Sequence, residues 1–244
     1  MRTTNTITAA ERVLAALDVP DLASALALVE TLQPHVGGFK VGLELCTAAG
    51  VPQVVSAVAA AGGAVFLDLK LHDIPNTVAG AVRSVCALGP AVRMLTLHTQ
   101  GGAAMLRAAV EAAAAFPSRP LLLGVTVLTS MDQATLNDDL GVPARLEEHV
   151  VHLARLAQRC GLDGVVASPH EAAAIRRACG DELLIVTPGV RPAAAAANDQ
   201  RRVLTPAEAV RAGANYLVIG RPITAAGDPA EAAAAIVAEL EAAG

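Results

Sequence analysis

The sequence predicts an α/β fold, a single-domain (β/α)8 TIM barrel that extends over residues 1–244. Short apolar runs alternate eight times with longer Ala-rich helical segments, and no linker separates the eight units. Such alternation is typical of a parallel sheet, and eight units in a chain of this length favour a closed barrel. The rival is an open doubly wound sheet, which usually carries a glycine-rich fingerprint after its first strand. Here the first apolar run continues into DVPDLA (18–23), which contains no glycine and favours the barrel.

Eight segments have the length and composition of buried strands. They are RVLAALDV (12–19), GGFKVGL (37–43), GAVFLDLK (63–70), AVRMLTLH (91–98), LLLGVTVLT (121–129), DGVVASP (163–169), ELLIVTPG (182–189) and NYLVIGRP (215–222). Helices are predicted near 21–33, 50–61, 75–88, 101–115, 143–160, 169–178, 205–212 and 228–242. Asp21 and Thr205 are suited to cap helix starts, Pro206 to a first helical turn and Gly180 to a helix end.

The composition bears on the core, the class of partner and the redox compartment. Hydrophobic residues make up 54% of the chain and aromatic residues only 2%, so the core is expected to be aliphatic. A net charge of −5, without a basic cluster interleaved with aromatics, argues against a nucleic acid partner. Four cysteines without a CxxC motif are typical of buried free thiols in a reducing compartment.

Two segments bear on location. The first residues, MRTTNTITAAER, lack the apolar core of a signal peptide. Residues 45–67 carry no charge and are long enough to span a bilayer. However, Pro52, Gln53, Ser56 and the Gly62–Gly63 pair indicate a helix, a turn and the start of a strand. We therefore expect a cytoplasmic protein with no membrane partner.

Polar residues and glycines follow nearly every predicted strand, at the end where barrels place their chemistry. In chain order they are Asp18, Lys40, the group Asp68, Lys70 and Asp73, then His98, Thr129, Ser168, Gly189 with Arg191, and Gly220 with Arg221. We expect these residues to meet at one mouth of the barrel.

The densest group lies in DLKLHDIPNT (68–77). In an extended strand alternate side chains share a face, so Asp68, Lys70 and His72 are expected to point the same way. A lysine between carboxylates stays protonated, which suits a general acid. Lys40, from the neighbouring strand, could complete an alternating network with Asp68, Lys70 and Asp73. The pattern alone also allows a purely structural network of salt bridges.

Two further segments, TPGVR (187–191) and IGRPIT (219–224), follow the seventh and eighth strands. Barrels often bind phosphate at this position through backbone N–H groups that glycine makes accessible. Arg191 and Arg221 would add charge-assisted hydrogen bonds. The alternative is that both arginines are solvated loop residues.

These segments together resemble the bacterial branch of the orotidine 5′-phosphate decarboxylase family. The resemblance rests on DLKLHDIPNT, LDV (17–19), FKVG (39–42), GVTVLTS (124–130), TPGVRP (187–192), NDQRRVLTP (198–206) and VIGRPIT (218–224), and covers essentially the whole chain. It implies decarboxylation of orotidine 5′-monophosphate to uridine 5′-monophosphate, the last step of de novo synthesis of that nucleotide. It further implies a homodimer with shared active sites, and neither a cofactor nor a metal.

The resemblance also implies roles for individual residues. Lys70 would protonate C6 of the pyrimidine, and Asp68 would lie against the substrate carboxylate and position Lys70. Asp18 and Lys40 would hold ribose hydroxyls, with Lys40 also joining the charge network, and Thr129 would meet the pyrimidine edge. The partner's site would receive Asp73, Ile74 and Thr77. The phosphate would be held by Arg191, Gln200, Gly220 and Arg221.

One segment departs from the family pattern. Residues 191–203 resemble the family's closing loop, which often has glycine directly before its Asp-Gln pair. Here that position is Asn198, preceded by Ala193 to Ala197. Asparagine tolerates the left-handed backbone conformation better than most residues, so we expect closure to survive, while the sequence does not determine its rate.

Two other functions remain open at this point. A metal-dependent sugar-phosphate decarboxylase or aldolase would share Asp68, Lys70 and Asp73 but would need a further acidic ligand near the second strand, for which Glu44 is the candidate. A non-catalytic phosphate-binding barrel would not need the intact charge group. His149 and His152 are spaced like a metal pair, but beside Glu147 and Glu148 we interpret them as a solvated helix face.

Overall fold

The computed structural model describes residues 7–192 and 204–243. Eight parallel strands form a closed barrel in which each pairs with the next in sequence and β8 pairs with β1. The strands are β1 Val13–Ala16, β2 Gly38–Val41, β3 Val65–Leu71, β4 Val92–His98, β5 Leu121–Val125, β6 Gly164–Val166, β7 Leu184–Pro188 and β8 Tyr216–Ile219. The predicted fold class is confirmed. Seven strands lie inside their predicted segments, and β3 extends one residue further.

Helices connect the strands on the outside of the barrel. They are α1 Ala9–Arg12, α2 Leu22–Leu32, α3 Leu43–Ala49, α4 Val51–Ala60, α5 Pro75–Cys86, α6 Gly102–Ala114, α7 Leu146–Arg159, α8 Ala172–Cys179, α9 Pro206–Arg211, α10 Arg221–Thr224 and α11 Pro229–Ala243. All eight predicted helices are present within about three residues of their predicted bounds. Sequence reasoning missed α1, α3 and α10, of which two are only four residues long.

The cap predictions are confirmed. The Asp21 side chain accepts a hydrogen bond from the Ser24 N–H at the start of α2. Thr205 caps α9, where Pro206 occupies the first turn. Gly180 ends α8 with φ 74°, a left-handed conformation that glycine adopts without a steric penalty.

The uncharged stretch is interrupted at Gly50. This residue has φ 81°, which ends α3 and begins α4 at an angle of 101° to it. Among residues 7–192 and 204–243, no single helix is long and apolar enough to cross a bilayer; this bent pair alone passes that test, by length and composition only. The four cysteines are buried and free, as predicted.

The core has two layers. The larger lies between the barrel and its helices, and a smaller one fills the barrel interior with Leu14, Ala16, Phe66, Met94, Leu123, Val186 and Val218. Inward positions alternate along each strand. The position two residues beyond an inner apolar residue therefore falls at the mouth: Asp18 follows Ala16, Asp68 follows Phe66, and Gly220 follows Val218.

The ladder between β3 and β4 is irregular near the mouth. Leu67 pairs with Leu95 and Leu71 with Leu97, so four steps along β3 match only two steps along β4. Lys70 lies inside this bulge with φ 50°, alone among the described non-glycine residues in having positive φ. The irregularity thus lies within the charged segment DLKLHDIPNT (68–77).

Candidate active site

A cavity of about 300 Å³ opens at the C-terminal mouth of the barrel. Most of its lining residues are apolar, and two carboxylates and two ammonium groups also line it. The lining comprises Ala16, Asp18, Lys40, Phe66, Asp68, Lys70, Val125, Val127, Leu128, Thr129, Val166, Ala167, Pro188, Gly189, Val218 and Gly220. A second cavity, of about 260 Å³, lies at the opposite end of the barrel, away from the strand ends where barrels place their chemistry.

Asp18 and Lys40 form the first ion pair. The Lys40 Nζ atom donates a hydrogen bond to Asp18 Oδ1 at 2.6 Å, joining the ends of β1 and β2. The Lys40 side chain is 12% exposed and that of Asp18 is 59% exposed. The largely buried Lys40 ammonium is therefore held in the cavity wall by the more exposed carboxylate of Asp18.

Asp68 and Lys70 form the second pair. Lys70 Nζ donates to Asp68 Oδ2 at 2.7 Å, and both side chains are mostly shielded from solvent. The buried Thr96, on β4, donates its hydroxyl to Asp68 Oδ1 at 3.0 Å and accepts the backbone N–H of Lys70 at 2.8 Å. Sequence reasoning missed Thr96, although its position two residues beyond the inner Met94 was a usable signal.

The expectation that His72 shares the face of Asp68 and Lys70 is wrong. Because Lys70 adopts positive φ, the alternation of an extended strand ends there, and His72 is exposed and does not line the cavity. Its ring centroid instead lies 5.4 Å from that of His98. Burial, followed by the nearby His72 and Lys70, lowers the pKa of His98 and favours its neutral form.

Asp73, Ile74 and Thr77 lie outside the cavity of their own chain. All three are exposed, and Asp73 Oδ1 accepts the N–H of Ile74 at 2.6 Å. Within the described part of one chain, Asp73 joins neither ion pair, so the charges form two separate pairs instead of a four-membered network.

The predicted phosphate residues are only partly assembled. Gly189 and Gly220 line the cavity, as does Thr129 at its rim. Arg191 and Arg221 follow these glycines but do not line the cavity; Arg221 begins α10 and is exposed. Gln200 and the departure at residues 193–198 lie outside the described residues.

The chain contains only two lysines among its 18 basic residues, and both line this cavity. This is a signal that sequence reasoning missed. A guanidinium is permanently charged, whereas an ammonium can give up a proton, so the two cations are not equivalent in a proton-transfer site. The other basic residues of the Lys/Arg set are arginines, and lysine occurs only at the two cavity positions, where its ability to release a proton could be used.

The metal-dependent alternative has no ligand set in the described residues. No group of three or more His, Cys, Asp or Glu side chains there is arranged to hold an ion. Glu44, the additional ligand that this alternative needs, lies on α3, exposed and outside the cavity lining.

The sequence model of the orotidine 5′-phosphate decarboxylase / HUMPS family matches residues 11–236. The chain belongs to this family. A protein of Moorella thermoacetica named orotidine 5′-phosphate decarboxylase is 58% identical over 238 residues, covering 96% of this chain and 93% of the relative. A protein of the same name from Halorhodospira halophila is 58% identical over 233 residues, covering 96% and 97%.

Two solved structures are also similar to this chain. Orotidine 5′-phosphate decarboxylase from Lactobacillus acidophilus superposes with a TM-score of 0.83 at 37% identity, covering 93% of this chain and 98% of that one. An uncharacterized conserved protein from Geobacillus kaustophilus gives a TM-score of 0.80 at 39% identity, covering 93% and 99%. The predicted resemblance to the decarboxylase family is confirmed, and the comparisons do not support the metal-dependent alternative.

Proposed function

We propose that this chain is an orotidine 5′-phosphate decarboxylase, which converts orotidine 5′-monophosphate to uridine 5′-monophosphate and carbon dioxide without a cofactor. The observation that carries the proposal is the Lys70 ammonium, held 2.7 Å from Asp68 in the mouth cavity of a barrel of this family. The reaction is the last step of uridine monophosphate synthesis, and we place it in the cytoplasm.

In the proposed mechanism the bond between C6 of the pyrimidine and its carboxylate breaks and carbon dioxide departs. The bonding electron pair remains on C6, and a proton moves from Lys70 Nζ to that carbon. The resulting neutral amine takes up a proton from solvent after product leaves. A fixed ammonium beside the developing charge stabilises it without reorganisation during the reaction.

Asp68 has two tasks in this mechanism. Its Oδ2 accepts the hydrogen bond that directs Lys70, and its carboxylate faces the position proposed for the substrate carboxylate. Lys40 and Asp18, held together at 2.6 Å, are proposed to bind the ribose hydroxyls. Thr129, at the rim, is proposed to meet the edge of the pyrimidine.

One lysine does not account for a large acceleration. Enzymes at the upper end of the known range lower their barriers by about 20 kcal/mol or more. Binding energy from a remote group of the substrate supplies the remainder when it is used to order the site. We assign that role to the phosphate, held by Gly220, Arg191, Arg221 and Gln200.

We further propose a homodimer whose subunits complete one another's sites. Ile74 is 67% exposed, more than the other exposed large apolar side chains of the described residues, and it lies inside the charged segment. Asp73 and Thr77 are exposed beside it and do not reach their own cavity. A second copy of the chain would cover Ile74 and receive Asp73.

The test is to mix purified protein with orotidine 5′-monophosphate and to follow the ultraviolet absorbance of the pyrimidine with excess chelator present. Wild type and Arg107→Ala, which removes an exposed charge on α6, should turn over. Lys70→Ala should lose at least about a thousandfold in kcat, because it loses both the proton donor and its electrostatic stabilisation. An inert wild type would refute the function; sugar phosphates with added magnesium would then be assayed.

A further inference from the structure

We propose that Thr96 is a positioning residue that sets the geometry of the Asp68–Lys70 pair. The inference rests on the decarboxylase function proposed above. Thr96 touches both members of the pair from β4 and is fully buried. It belongs to none of the roles that the family resemblance implies.

The three residues form a closed ring of hydrogen bonds. The Lys70 backbone N–H donates to Thr96 Oγ1 at 2.8 Å, the Thr96 hydroxyl donates to Asp68 Oδ1 at 3.0 Å, and Lys70 Nζ donates to Asp68 Oδ2 at 2.7 Å. Each residue is thereby fixed by the other two. The side chain of Lys70 and its own backbone are linked through a second strand.

The backbone of Lys70 needs this partner because the ladder is broken around it. Between Leu67 and Leu71 the pairing of β3 with β4 skips two residues. Lys70 also has φ 50°, a conformation that non-glycine residues adopt only when the surroundings enforce it. A partly buried N–H requires an acceptor, and the Thr96 hydroxyl oxygen supplies it.

The hydroxyl is also oriented by its neighbours. Because Thr96 Oγ1 accepts the Lys70 N–H, its own hydrogen is free to point at Asp68. The side chain of Thr96 is 0% exposed, so water does not readily replace it. A valine of nearly the same shape would leave both the Lys70 N–H and Asp68 Oδ1 short of a partner.

Loss of the Thr96 hydroxyl is expected to affect kcat much more than KM. Ribose and phosphate are assigned to residues on other strands, so loss of Thr96 leaves most substrate contacts unchanged. The Lys70 ammonium, however, must lie within hydrogen-bonding distance of C6 during proton transfer. A displacement of this group is expected to lower kcat far more than it raises KM.

The kinetic experiment compares Thr96→Val with Thr96→Ser and with Thr126→Val. Thr126 is a matched control: it is equally buried and its hydroxyl donates to a backbone carbonyl, that of Val166, at 3.1 Å. Thr96→Val should lower kcat about ten- to hundredfold, the effect of losing a hydrogen bond to a charged group, with KM within about threefold. Thr96→Ser should recover most of the loss, and Thr126→Val should behave like wild type.

A second measurement does not depend on turnover. With only two lysines in the chain, selective isotope labelling of lysine gives two side-chain signals, and Lys40 serves as the internal reference. In Thr96→Val the Lys70 signal should shift, return in Thr96→Ser and stay unchanged in Thr126→Val. Circular dichroism of each variant establishes that it is folded.

The outcomes separate the two proposals. A loss of kcat restricted to Thr96→Val and reversed in Thr96→Ser supports the inference. If Thr96→Val matches wild type in kcat, or if its Lys70 signal does not move, the inference is overturned. An inert wild type refutes the decarboxylase function instead, and the lysine signals then decide by themselves whether Thr96 positions Lys70.

Discussion

Lys40 Nζ lies 2.6 Å from Asp18 Oδ1, and the two residues lie at the C-terminal ends of adjacent strands of the barrel. Gly42 stands directly beside them. A Cβ atom at this position would lie 3.1 Å from Lys40 Nζ and 3.5 Å from Asp18 Oδ1. The pair therefore depends on the missing side chain of a neighbour as well as on its own charges.

Replacing Gly42 with alanine should disturb this pair without unfolding the protein. Gly42 has φ −102°, which alanine adopts readily, so the melting temperature should barely change. The methyl group should displace Lys40 by a few tenths of an ångström and raise KM for orotidine 5′-monophosphate about three- to tenfold. Gly227→Ala is the control, since no atom lies within 4 Å of its added Cβ. An unchanged KM in Gly42→Ala would contradict the ribose-binding role of Lys40.

Mixing two inactive variants tests the shared sites. If Asp73 acts in the partner's site, a heterodimer of Lys70→Ala and Asp73→Ala chains contains one intact site. Random mixing of the two should restore about one quarter of wild-type activity, because half of the dimers are mixed and each has one working site. The measurement is turnover after the chains are mixed in denaturant and refolded. If mixing restores nothing, Asp73 acts within its own chain or the dimer does not form.

Substrates with and without a phosphate group distinguish phosphate binding by Arg221 from a role in the chemical step. Arg221→Ala should lower kcat/KM for orotidine 5′-monophosphate about a hundredfold, which corresponds to losing one charge-assisted contact of about 2.7 kcal/mol. With orotidine, which lacks the phosphate, the same variant should differ from wild type by less than about threefold. Arg211→Ala, an exposed arginine on α9, is the control. Equal losses with both substrates would show that Arg221 does not act through the phosphate.

Glu171 makes stability depend on pH. Burial raises the pKa of this carboxyl from 4.5 to about 7, against the opposing effect of the hydrogen bond it accepts from the Ser168 N–H. Between these two values the folded chain keeps the proton and the unfolded chain releases it, so stability falls as the pH rises through this range. Glu171→Gln should therefore raise the melting temperature by about 2–4 °C at pH 8 and much less at pH 4. Glu241→Gln, at an exposed position, is the control and should leave the melting temperature unchanged at both pH values. An equal rise in the melting temperature of Glu171→Gln at pH 8 and pH 4 would contradict this assignment.

Arg176, on α8, links the segments that precede β7 and β8. Its guanidinium donates to the carbonyls of Gly180, Leu183 and Gly213 and to the side chain of Asn215, at 2.7–2.9 Å. Lysine cannot make this planar set of bonds, so Arg176→Lys should lower the free energy of unfolding by about 2–4 kcal/mol in urea denaturation.

Asp181 provides the control for Arg176. Its carboxylate is 3.9 Å from Arg176 Nε, and its side chain is 96% exposed. Asp181→Ala should change the free energy of unfolding by less than about 0.5 kcal/mol. If the two variants were equally destabilised, the ion pair would contribute as much to stability as the buried carbonyl contacts, which would contradict this assignment.

Much of the site followed from the positions of the strand ends. Asp18, Lys40 and Asp68 were predicted at the mouth because each lies at the C-terminal end of a predicted strand. Within β3, the alternation of side chains was expected to bring Asp68, Lys70 and His72 to one face. The same rule failed at His72. The bulge and the positive φ at Lys70 end the regular alternation of side chains. The preceding strand residues, VFLDL (65–69), contain no glycine or proline that would have indicated this irregularity.

The sequence by itself determined the barrel, the order of its elements and the residue types at its mouth, because these depend on local apolar patterns and on motifs of fixed spacing. Only the tertiary structure decided that the charges of one chain divide into two ion pairs, that His72 lies outside the cavity, and that Thr96 joins Lys70 to Asp68. These relationships connect strands up to 28 residues apart in the chain. They depend on the register and the bulge between neighbouring strands, which are set by packing of the whole barrel.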